Sequence, residues 1–335
     1  MHLWTPIRNA LPYNQPAMSI YTLQPLDFSG LKTVSLHGRG GKVTTEMFAK
    51  PHTPGDPLST FLNSLPKILA ADTLREIANK LKEAKQQNKP IIWGLGGHVI
   101  KVGLAPILLD LADKGYAHGF SMNGSATIHD YEIAVAGHSS EDVESVLPDG
   151  SFGSAEETGK DLNDAIDEAS EAEGMGEAIC RKITEKADPK YANSSLLHGA
   201  YKRKIPVTVH VAIGTDTPHT HPGANGADIG RTSHHDFRLL CEMVRGLDEG
   251  GVYLNVGSAV IMPEVFLKAI SVVRNLGYPL RNFTTVNFDF LQHYRPTVNV
   301  VKRPHANAGG RGYALTGHHE IMIPLLAAIL IEGDQ

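Results

Sequence analysis

The sequence predicts an open α/β fold with a mostly parallel, doubly wound sheet. Short apolar segments alternate with longer segments of helical periodicity over most of the 335 residues. Several of the apolar segments end in glycine, serine or asparagine. Such alternation is typical of parallel strands with helices on both faces of the sheet. Residues 1–66 are rich in proline and polar residues, and they predict an irregular N-terminal arm before the α/β domain of residues 67–335.

The elements follow in a regular order from residue 72. "DTLREIANKLKEAKQQN" starts with a plausible N-cap, Asp72, and has apolar residues at helical spacing. The strands are predicted in "KPIIWGLGGH", "YAHGFSMNG", "IPVTVHVAIG", "GVYLNVGS" and "NFTTVNFDF". Helices are predicted in "VIKVGLAPILLDLADKG", "ATIHDYEIAVAG", "SSLLHGAYKRK", "TSHHDFRLLCEMVRGLDEG", "IMPEVFLKAISVVRNLG" and the almost wholly apolar "HEIMIPLLAAILIEG". We expect about six or seven parallel strands in one domain.

An acidic segment, residues 139–190, interrupts this order. Its core, "EETGKDLNDAIDEASEAEGMGEAI", has many acidic residues against one lysine, with helical propensity. A charge run of this kind favours a solvated helical hairpin. A mobile cover over a ligand site is the alternative interpretation, and the sequence leaves both open.

Composition excludes several classes of protein. The net charge of −5 argues against non-specific nucleic-acid binding, which requires a basic face. Cys180 and Cys241 lack metal-type spacing and fit a reducing compartment. No apolar run reaches the ~18 residues that span a bilayer, and the first residues lack the pattern of a signal peptide. We therefore expect a cytoplasmic protein with a small-molecule partner and no nucleic-acid or membrane partner.

The ends of the predicted strands are the candidate ligand site, because ligands of open α/β sheets bind at the carboxyl ends of the strands. These ends are residues 93–98, 121–130, 212–230, 255–260 and 287–296. Glycine and small polar residues there let a ligand approach the backbone, and phosphate binds well at helix starts. The first end is not the dinucleotide fingerprint, since G-x-G-x-x-G from Gly94 would need glycine at Val99.

The loop of residues 212–230 contains several polar groups that could carry chemistry. His219 and His221, with nearby acids, could ligate Zn²⁺ or another transition metal if they lie in an extended segment. His234 and His235 would join them in this alternative, and the pair His318 and His319 could contribute as well. Hydrogen bonding to a polar substrate, or simple packing of the loop, is the competing interpretation.

The start of one predicted helix carries His129, Asp130 and Glu132. Asp130 could favour the helix N-terminal dipole while His129 lies on the surface. Alternatively, Asp130 or Glu132 could accept hydrogen bonds from ribose hydroxyls or from an amine. Both interpretations stay open at this stage.

The order of these loops resembles that of deoxyhypusine synthases. The segments that carry the resemblance are "IIWGLGGHVIKVGLAPILLDLADKGYAHGFSMNGSATIHDYEIAVAG", "KRKIPVTVHVAIGTD", "GGVYLNVGSAV" and "MIPLLAAIL", within residues 68–330. "MNGSATIHDYE" is also similar to the LOR/SDH-type domain. The resemblance implies a Rossmann-like fold, bound NAD and a homo-oligomer, with a tetramer expected and the N-terminal arm serving assembly. It implies NAD contacts from strand-end residues: Gly94, Gly96, Gly97, His98, Asn123, Gly124, Ser125, Asp130, Gly257, Ser258 and Asp289.

The function that follows from this resemblance is that of an NAD-dependent transferase or oxidoreductase. It would act on an amine or amino acid, as in deoxyhypusine or homospermidine synthesis, which belongs to polyamine chemistry. The catalytic candidates are Lys302, Asp216 and His219, and the substrate-binding candidates are Glu132, Asp228 and His221.

This chain departs from the family in two places. The family's Gly-Lys motif is missing, which leaves Lys302 as the nearest imine-forming lysine, and "NVGSAVIMPE" lacks the family's histidine. Lys101 is a second lysine to consider, although a solvent-facing position on a helix is expected for it. A metal-dependent hydrolase that uses residues 219–235, or a non-catalytic ligand-binding relative, is the alternative function.

Overall fold

A computed structural model describes residues 21–333, so residues 1–20 of the predicted arm and the last two residues lie outside the described part. The described chain separates into two units, residues 21–44 and residues 45–333. The boundary expected at residue 66 between the arm and the α/β domain stays a prediction. In the first unit, the described residues contain one 3₁₀ turn, Leu36–Gly38, and their side chains are exposed.

The second unit is built on one six-stranded parallel sheet, which confirms the predicted fold class. The strands are β1 (Ile91–Leu95), β2 (Gly119–Asn123), β3 (Val207–His210), β4 (Val252–Val256), β5 (Thr284–Asp289) and β6 (Arg311–Thr316). Their order is β3-β2-β1-β4-β5-β6, and every pairing is parallel. The chain moves outward from β1 to β3 and then returns to place β4 beside β1.

The helices occupy the connections between strands. They are α1 (Leu58–Ser64), α2 (Leu69–Gln86), α3 (Gly97–Lys101), α4 (Ala105–Asp113), α5 (Gly124–Ala136), α6 (Val143–Val146), α7 (Glu156–Asp167), α8 (Met175–Lys186), α9 (Leu196–Lys202), α10 (Gly226–Arg245), α11 (Ile261–Asn275), α12 (Tyr294–Pro296) and α13 (His319–Glu332). A π-helical segment, Thr297–Lys302, continues α12, and a 3₁₀ turn, Arg303–His305, follows it before β6.

Two apolar cores cover the two faces of the sheet. Trp93 and Leu254 belong to the larger core, beneath α2, α4, α5 and α13. Ile92 and Tyr253 belong to the smaller core, beneath α10 and α11. Successive side chains of a strand point to opposite faces, so strands buried on both faces need continuous apolar runs. This requirement explains why β1 and β4 could be identified from the sequence.

The sixth strand is an element that the sequence analysis missed. Tyr313 and Leu315 of β6 are buried, while its other residues are exposed or half-buried. An edge strand of this kind has one neighbour and half-exposed faces, so its apolar content is low. Gly312, at the second position of β6, weakens the sequence pattern of a strand further. Glycine is needed there because a Cβ would lie 2.0 Å from the Val301 carbonyl oxygen.

The acidic segment folds mainly into α7 and α8, two packed amphipathic helices. One face of each helix is buried, through Leu162 and Ile166 in α7 and through Ile179 and Ile183 in α8. Most of the acidic side chains occupy the other face, but Asp161 of α7 is buried, and its carboxylate accepts from the Tyr131 hydroxyl at 2.7 Å. The helical hairpin expected from the sequence is therefore present, but one face of each helix belongs to the apolar core beside β3.

Asp130 connects α5 to α9 through a buried carboxylate. One of its oxygens accepts from the Leu196 N–H at 2.7 Å. The other accepts from the Leu197 N–H at 3.0 Å and from the Ser195 hydroxyl. These donors are the first orphan N–H groups of α9 and its N-cap side chain. Burial raises the pKa of Asp130 to about 6, and the three hydrogen bonds oppose part of that rise.

No helix within residues 21–333 combines the length and apolar character needed to cross a bilayer.

We predict that Asp130→Asn lowers the free energy of unfolding by about 2–3 kcal/mol at pH 7, because the new amide N–H₂ faces N–H donors that lose an acceptor. The folded-state pKa lies above the unfolded value, so the carboxyl contributes stability that is present near pH 4 and is lost as pH rises to about 6. The difference in free energy of unfolding between wild type and Asp130→Asn should therefore become smaller as pH rises from 4 to about 6. Urea unfolding at several pH values measures both effects.

Asp142→Asn is the matched control. Asp142 is exposed and its side chain makes no cap hydrogen bond, so its variant should stay within about 0.5 kcal/mol of wild type. Equal stability of the two variants would contradict the capping role of Asp130.

Candidate functional site

The candidate site is the crevice outside the carboxyl ends of β1 and β4, which lie side by side. The connections after these two strands turn in opposite directions, which makes this a topological switch point, where open α/β sheets bind ligands. The Gly96 N–H donates to the Val256 carbonyl at 2.9 Å, and the Gly257 N–H donates to the Phe288 carbonyl at 3.0 Å. These bonds hold the loops after β1, β4 and β5 in one continuous wall.

Glycine is required where the two central loops touch. A Cβ on Gly96 would lie 2.1 Å from the Gly257 carbonyl oxygen. Gly257 itself has a φ of 68°, in the left-handed region. A Cβ on Gly97 would lie 2.3 Å from the Ser125 hydroxyl oxygen, which brings the start of α5 against the start of α3.

Helix N-termini point their N–H groups at this edge of the sheet. Helices α3, α5 and α11 each begin within a few residues of the end of β1, β2 or β4. The Asn123 side chain accepts from the Ala126 N–H at 3.2 Å, and the Ser258 hydroxyl accepts from the Met262 N–H at 3.2 Å. The remaining N–H groups and the helix dipoles favour an anionic ligand here.

Most of the residues predicted to contact NAD lie together at this edge. The set is Gly96, Gly97, His98, Asn123, Gly124, Ser125, Gly257, Ser258 and Asp289. Gly94 lies within β1 instead, where a Cβ would be 2.2 Å from the Tyr253 hydroxyl, so this glycine makes room for a core tyrosine. Asp130 is fully buried and caps α9, so it does not lie at the rim of the crevice.

An imidazole and phenyl cluster closes the crevice beside β5 and β6. The His98 ring centroid lies 5.5 Å from that of His319 and 6.0 Å from that of Phe290, and His318 stacks on Phe290 at 6.2 Å. His319 is buried, with Nε2 3.2 Å from the Phe288 carbonyl oxygen. Burial lowers the pKa of His319. The sequence pointed to the His318–His319 pair, but only as a metal candidate.

Two buried acceptor atoms near this edge have no partner within residues 21–333. They are Nδ1 of His319 and Oδ1 of Asn255. The Asn255 amide donates to Asn287 at 2.7 Å, and the Asn287 amide donates to Gln292 at 2.8 Å, so a chain of amides links the ends of β4 and β5. Unpaired buried polar atoms are costly and are often satisfied by water or a ligand.

An acidic cavity of about 170 Å³ adjoins the start of α5. Its polar lining includes His129, Glu132, Glu141 and Asp216. The Asp216 carboxylate packs against Gly124, where a Cβ would lie 2.3 Å from its Oδ2 atom. Burial raises the pKa of Asp216, and nearby His219 opposes that rise. The predicted residues Asp216, His219 and Glu132 thus lie close to the crevice.

The other polar residues of residues 212–230 make local contacts. His219 and His221 belong to a 3₁₀ turn and its end, not to an extended segment. The His221 ring packs on α7, since a Cβ on Gly159 would lie 2.6 Å from its Cδ2 atom. Asp228 lies in the first turn of α10, where it contacts Asn225 and Arg231.

The metal alternative finds no support in the described chain. Among residues 21–333, no three His, Cys, Asp or Glu side chains are grouped so that they could hold an ion. His234 and His235 lie on α10. The Nδ1 atom of His235 lies 4.0 Å from Oδ1 of Asp236, an isolated pair rather than a ligand set.

Lys302 lies at the opposite end of the sheet. It ends the π-helical segment, whose Val300 carbonyl accepts from Thr285 at the second position of β5. Four residues of strand, about 13 Å, separate Thr285 from Asp289 at the carboxyl end. Within this chain Lys302 therefore does not join the other candidates. Lys101 lies nearer to them, and its charge contributes to lowering the pKa of His129.

Fold and strand order together define an open, doubly wound α/β protein with a candidate ligand site at its switch point. No family model matches the chain, and no curated protein matches it. A solved LOR/SDH protein from Methanococcus maripaludis S2 is similar, with a TM-score of 0.52 and 15% identity over 80% of this chain and 72% of that chain. The resemblance to the LOR/SDH type is thereby confirmed as a likeness of fold.

Two further solved structures are more distant. AgrE, in a complex with ornithine and NAD⁺, has a TM-score of 0.49 and 13% identity over 77% of this chain and 32% of that chain. A protein described as a deoxyhypusine synthase from Entamoeba histolytica has a TM-score of 0.46 and 9% identity over 83% of this chain and 94% of that chain. These values are too low to carry an argument about chemistry. This chain spans only about a third of AgrE.

We predict that Gly96→Ala destabilises the protein by about 1–3 kcal/mol, because the methyl group would overlap the Gly257 carbonyl and force the loops apart. Gly230→Ala is the matched control, since a Cβ there meets nothing within 4 Å and the residue lies inside α10. That change should stabilise by about 0.5–1 kcal/mol. Urea unfolding compares the two variants, and a neutral Gly96→Ala would show that the loops are not in contact.

Proposed function

We propose that the chain is an NAD-dependent enzyme, a transferase or oxidoreductase, that acts on an amine or amino-acid substrate. The observation that carries the proposal is the glycine-lined crevice at the β1–β4 switch point, with the starts of α3, α5 and α11 around it. Dinucleotides bind across such a crevice, with pyrophosphate at a helix N-terminus.

The residues of the crevice fit a dinucleotide on physical grounds. Gly96, Gly97 and Gly257 let the loops after β1, β2 and β4 pack closely at the strand ends, which brings the helix starts together, and Ser125 and Ser258 add hydroxyl groups there. The acceptor atoms of His319 and Asn255 supply hydrogen-bonding capacity that no group within residues 21–333 uses. When bound, NAD would accept a hydride from a substrate carbon, which is chemistry that side chains do not supply.

The charge beside the crevice favours a cationic substrate. Asp216, Glu132 and Glu141 line one small cavity, and Glu157 adds a carboxylate to the adjoining cavity of about 540 Å³. A protonated amine would gain from these carboxylates in a partly dry site. His219 would remain near Asp216 as a polar neighbour. An imine step through Lys302 is not part of the proposal, because that residue lies at the far end of the strands.

Assembly into a homo-oligomer also belongs to the proposal. The first unit exposes large apolar side chains, among them Leu23 at 83%, Leu26 at 81% and Val34 at 77%. Exposed apolar surface of this extent favours burial against another chain. The tetrameric state and the cytoplasmic location stay predictions.

Ser125→Glu tests the nucleotide crevice. Glutamate is tolerated in the first turn of a helix, but its charge would repel a pyrophosphate at the start of α3, where Ser125 packs against Gly97. We expect NADH affinity to fall at least ten-fold, measured by NADH fluorescence titration. With wild type, NADH at a hundred-fold excess over Kd should stabilise the fold by about 2.7 kcal/mol in a thermal-shift experiment.

Ser59→Glu is the matched control, because Ser59 is also half-buried and is the second residue of its helix, α1. It lines a separate cavity with Lys82 and Ile329, near the end of α13 that is remote from the crevice. Its NADH affinity should equal that of wild type. The absence of any thermal shift of wild type with millimolar NAD⁺ or NADH would overturn the proposal.

A further inference from the structure

A hydrogen-bonded relay of three side chains lies beside the acidic cavity and was missed in the sequence. Nδ1 of His129 lies 2.6 Å from the Ser139 hydroxyl oxygen, and that hydroxyl donates to Oε2 of Glu132 at 2.6 Å. Thr158 donates to the other Glu132 oxygen at 3.3 Å. The relay joins the middle of α5 to the turn that follows it, so residues ten apart in sequence meet only in the fold.

The protons of this relay can be counted. Serine has one O–H proton, and an ionised Glu132 can only accept it. The Ser139 oxygen must then accept the hydrogen bond from His129, which requires the proton of the neutral imidazole to lie on Nδ1. Burial, with a contribution from the charge of Lys101, lowers the pKa of His129 to about 4, so the ring is neutral at pH 7. The relay therefore leaves Nε2 with a free lone pair.

His129, whose Nε2 carries the free lone pair, lines the acidic cavity. His129, Glu132 and Asp216 share the cavity of about 170 Å³ at the start of α5. Within residues 21–333 no hydrogen bond engages Nε2 of His129. The charged groups nearby are Glu141 on the cavity wall and Lys101 on α3, so carboxylates outnumber the cation.

We propose that Nε2 of His129 is a hydrogen-bond acceptor for a protonated primary amino group bound in this cavity, with Ser139 and Glu132 as positioning residues that hold the imidazole in the Nδ1–H form. The ammonium would donate to Nε2 and to the carboxylates of Glu132 and Asp216. The ligand class rests on the proposed function, whereas the tautomer does not. His129 and Ser139 would thus act in a site beside the nucleotide crevice.

The tautomer is measured by ¹⁵N NMR of protein labelled at histidine, with the His129 signals assigned by their loss in His129→Gln. We expect the Nδ1–H form in wild type at pH 7, although free histidine favours Nε2–H. Ser139→Thr keeps the hydroxyl and should retain the Nδ1–H form, while Ser139→Ala should shift the ring toward Nε2–H. An Nε2–H ring in wild type would overturn the relay.

Binding is measured with butylamine, which is protonated at pH 7, and with butan-1-ol as the uncharged probe of similar size. Butylammonium should move the Nε2 signal of His129, with about five-fold weaker binding to Ser139→Ala and unchanged binding to Ser139→Thr, since one hydrogen bond is weakened. A thermal melt of each variant checks that it is folded. An unmoved Nε2 signal, or equal binding of butan-1-ol, would overturn the amine site.

This experiment is separable from the test of the nucleotide crevice. Butylammonium binding is measured without NADH, so the amine site can fail while NADH still binds. Conversely, binding of butylammonium at His129 without any binding of NADH would support the amine site and contradict the proposed NAD-dependent enzyme.

Discussion

The contact between the loops after β1 and β4 is the constraint on which the site depends. A methyl group on Gly96 would overlap the Gly257 carbonyl oxygen, so the two strand ends can meet only without side chains. Their meeting lets the backbone of three neighbouring strands form one wall, through hydrogen bonds to Val256 and Phe288. The helices that start there then direct their N–H groups at one place, which side chains alone could not achieve.

Buried carboxylates hold the remaining helices in position around that wall. Asp130 ties α5 to the start of α9, and Asp236 of α10 accepts from the Gly176 N–H and the Val209 N–H, each at 2.7 Å. Burial raises the pKa of Asp236 to about 7. Each of these carboxyl groups accepts from several N–H donors at once, and it therefore fixes how the elements that carry those donors lie against each other.

Much of the fold, and less of the site, could be predicted from the sequence. Five strands were predictable because burial on both faces requires continuous apolar runs, whereas β6, with Tyr313 and Leu315 alone buried, has too weak a pattern. The strand ends could be proposed as the candidate site because parallel strands place them on one edge of the sheet. The roles of individual acidic residues could not be predicted. Asp130 and Glu132 are two positions apart on one helix, but Asp130 accepts from Ser195, far along the chain, and Glu132 accepts from Ser139, after a turn.

The sequence by itself determined the α/β class, the small-residue strand ends and the charge beside one of them, because periodicity and composition are local properties. Only the tertiary structure decided which polar groups are free to meet a ligand. It buries Asp130 beneath α9, carries Lys302 to the far end of the sheet and brings Ser139 against His129. The physical reason is that the availability of a polar group depends on which donors and acceptors surround it, and those come from distant parts of the chain.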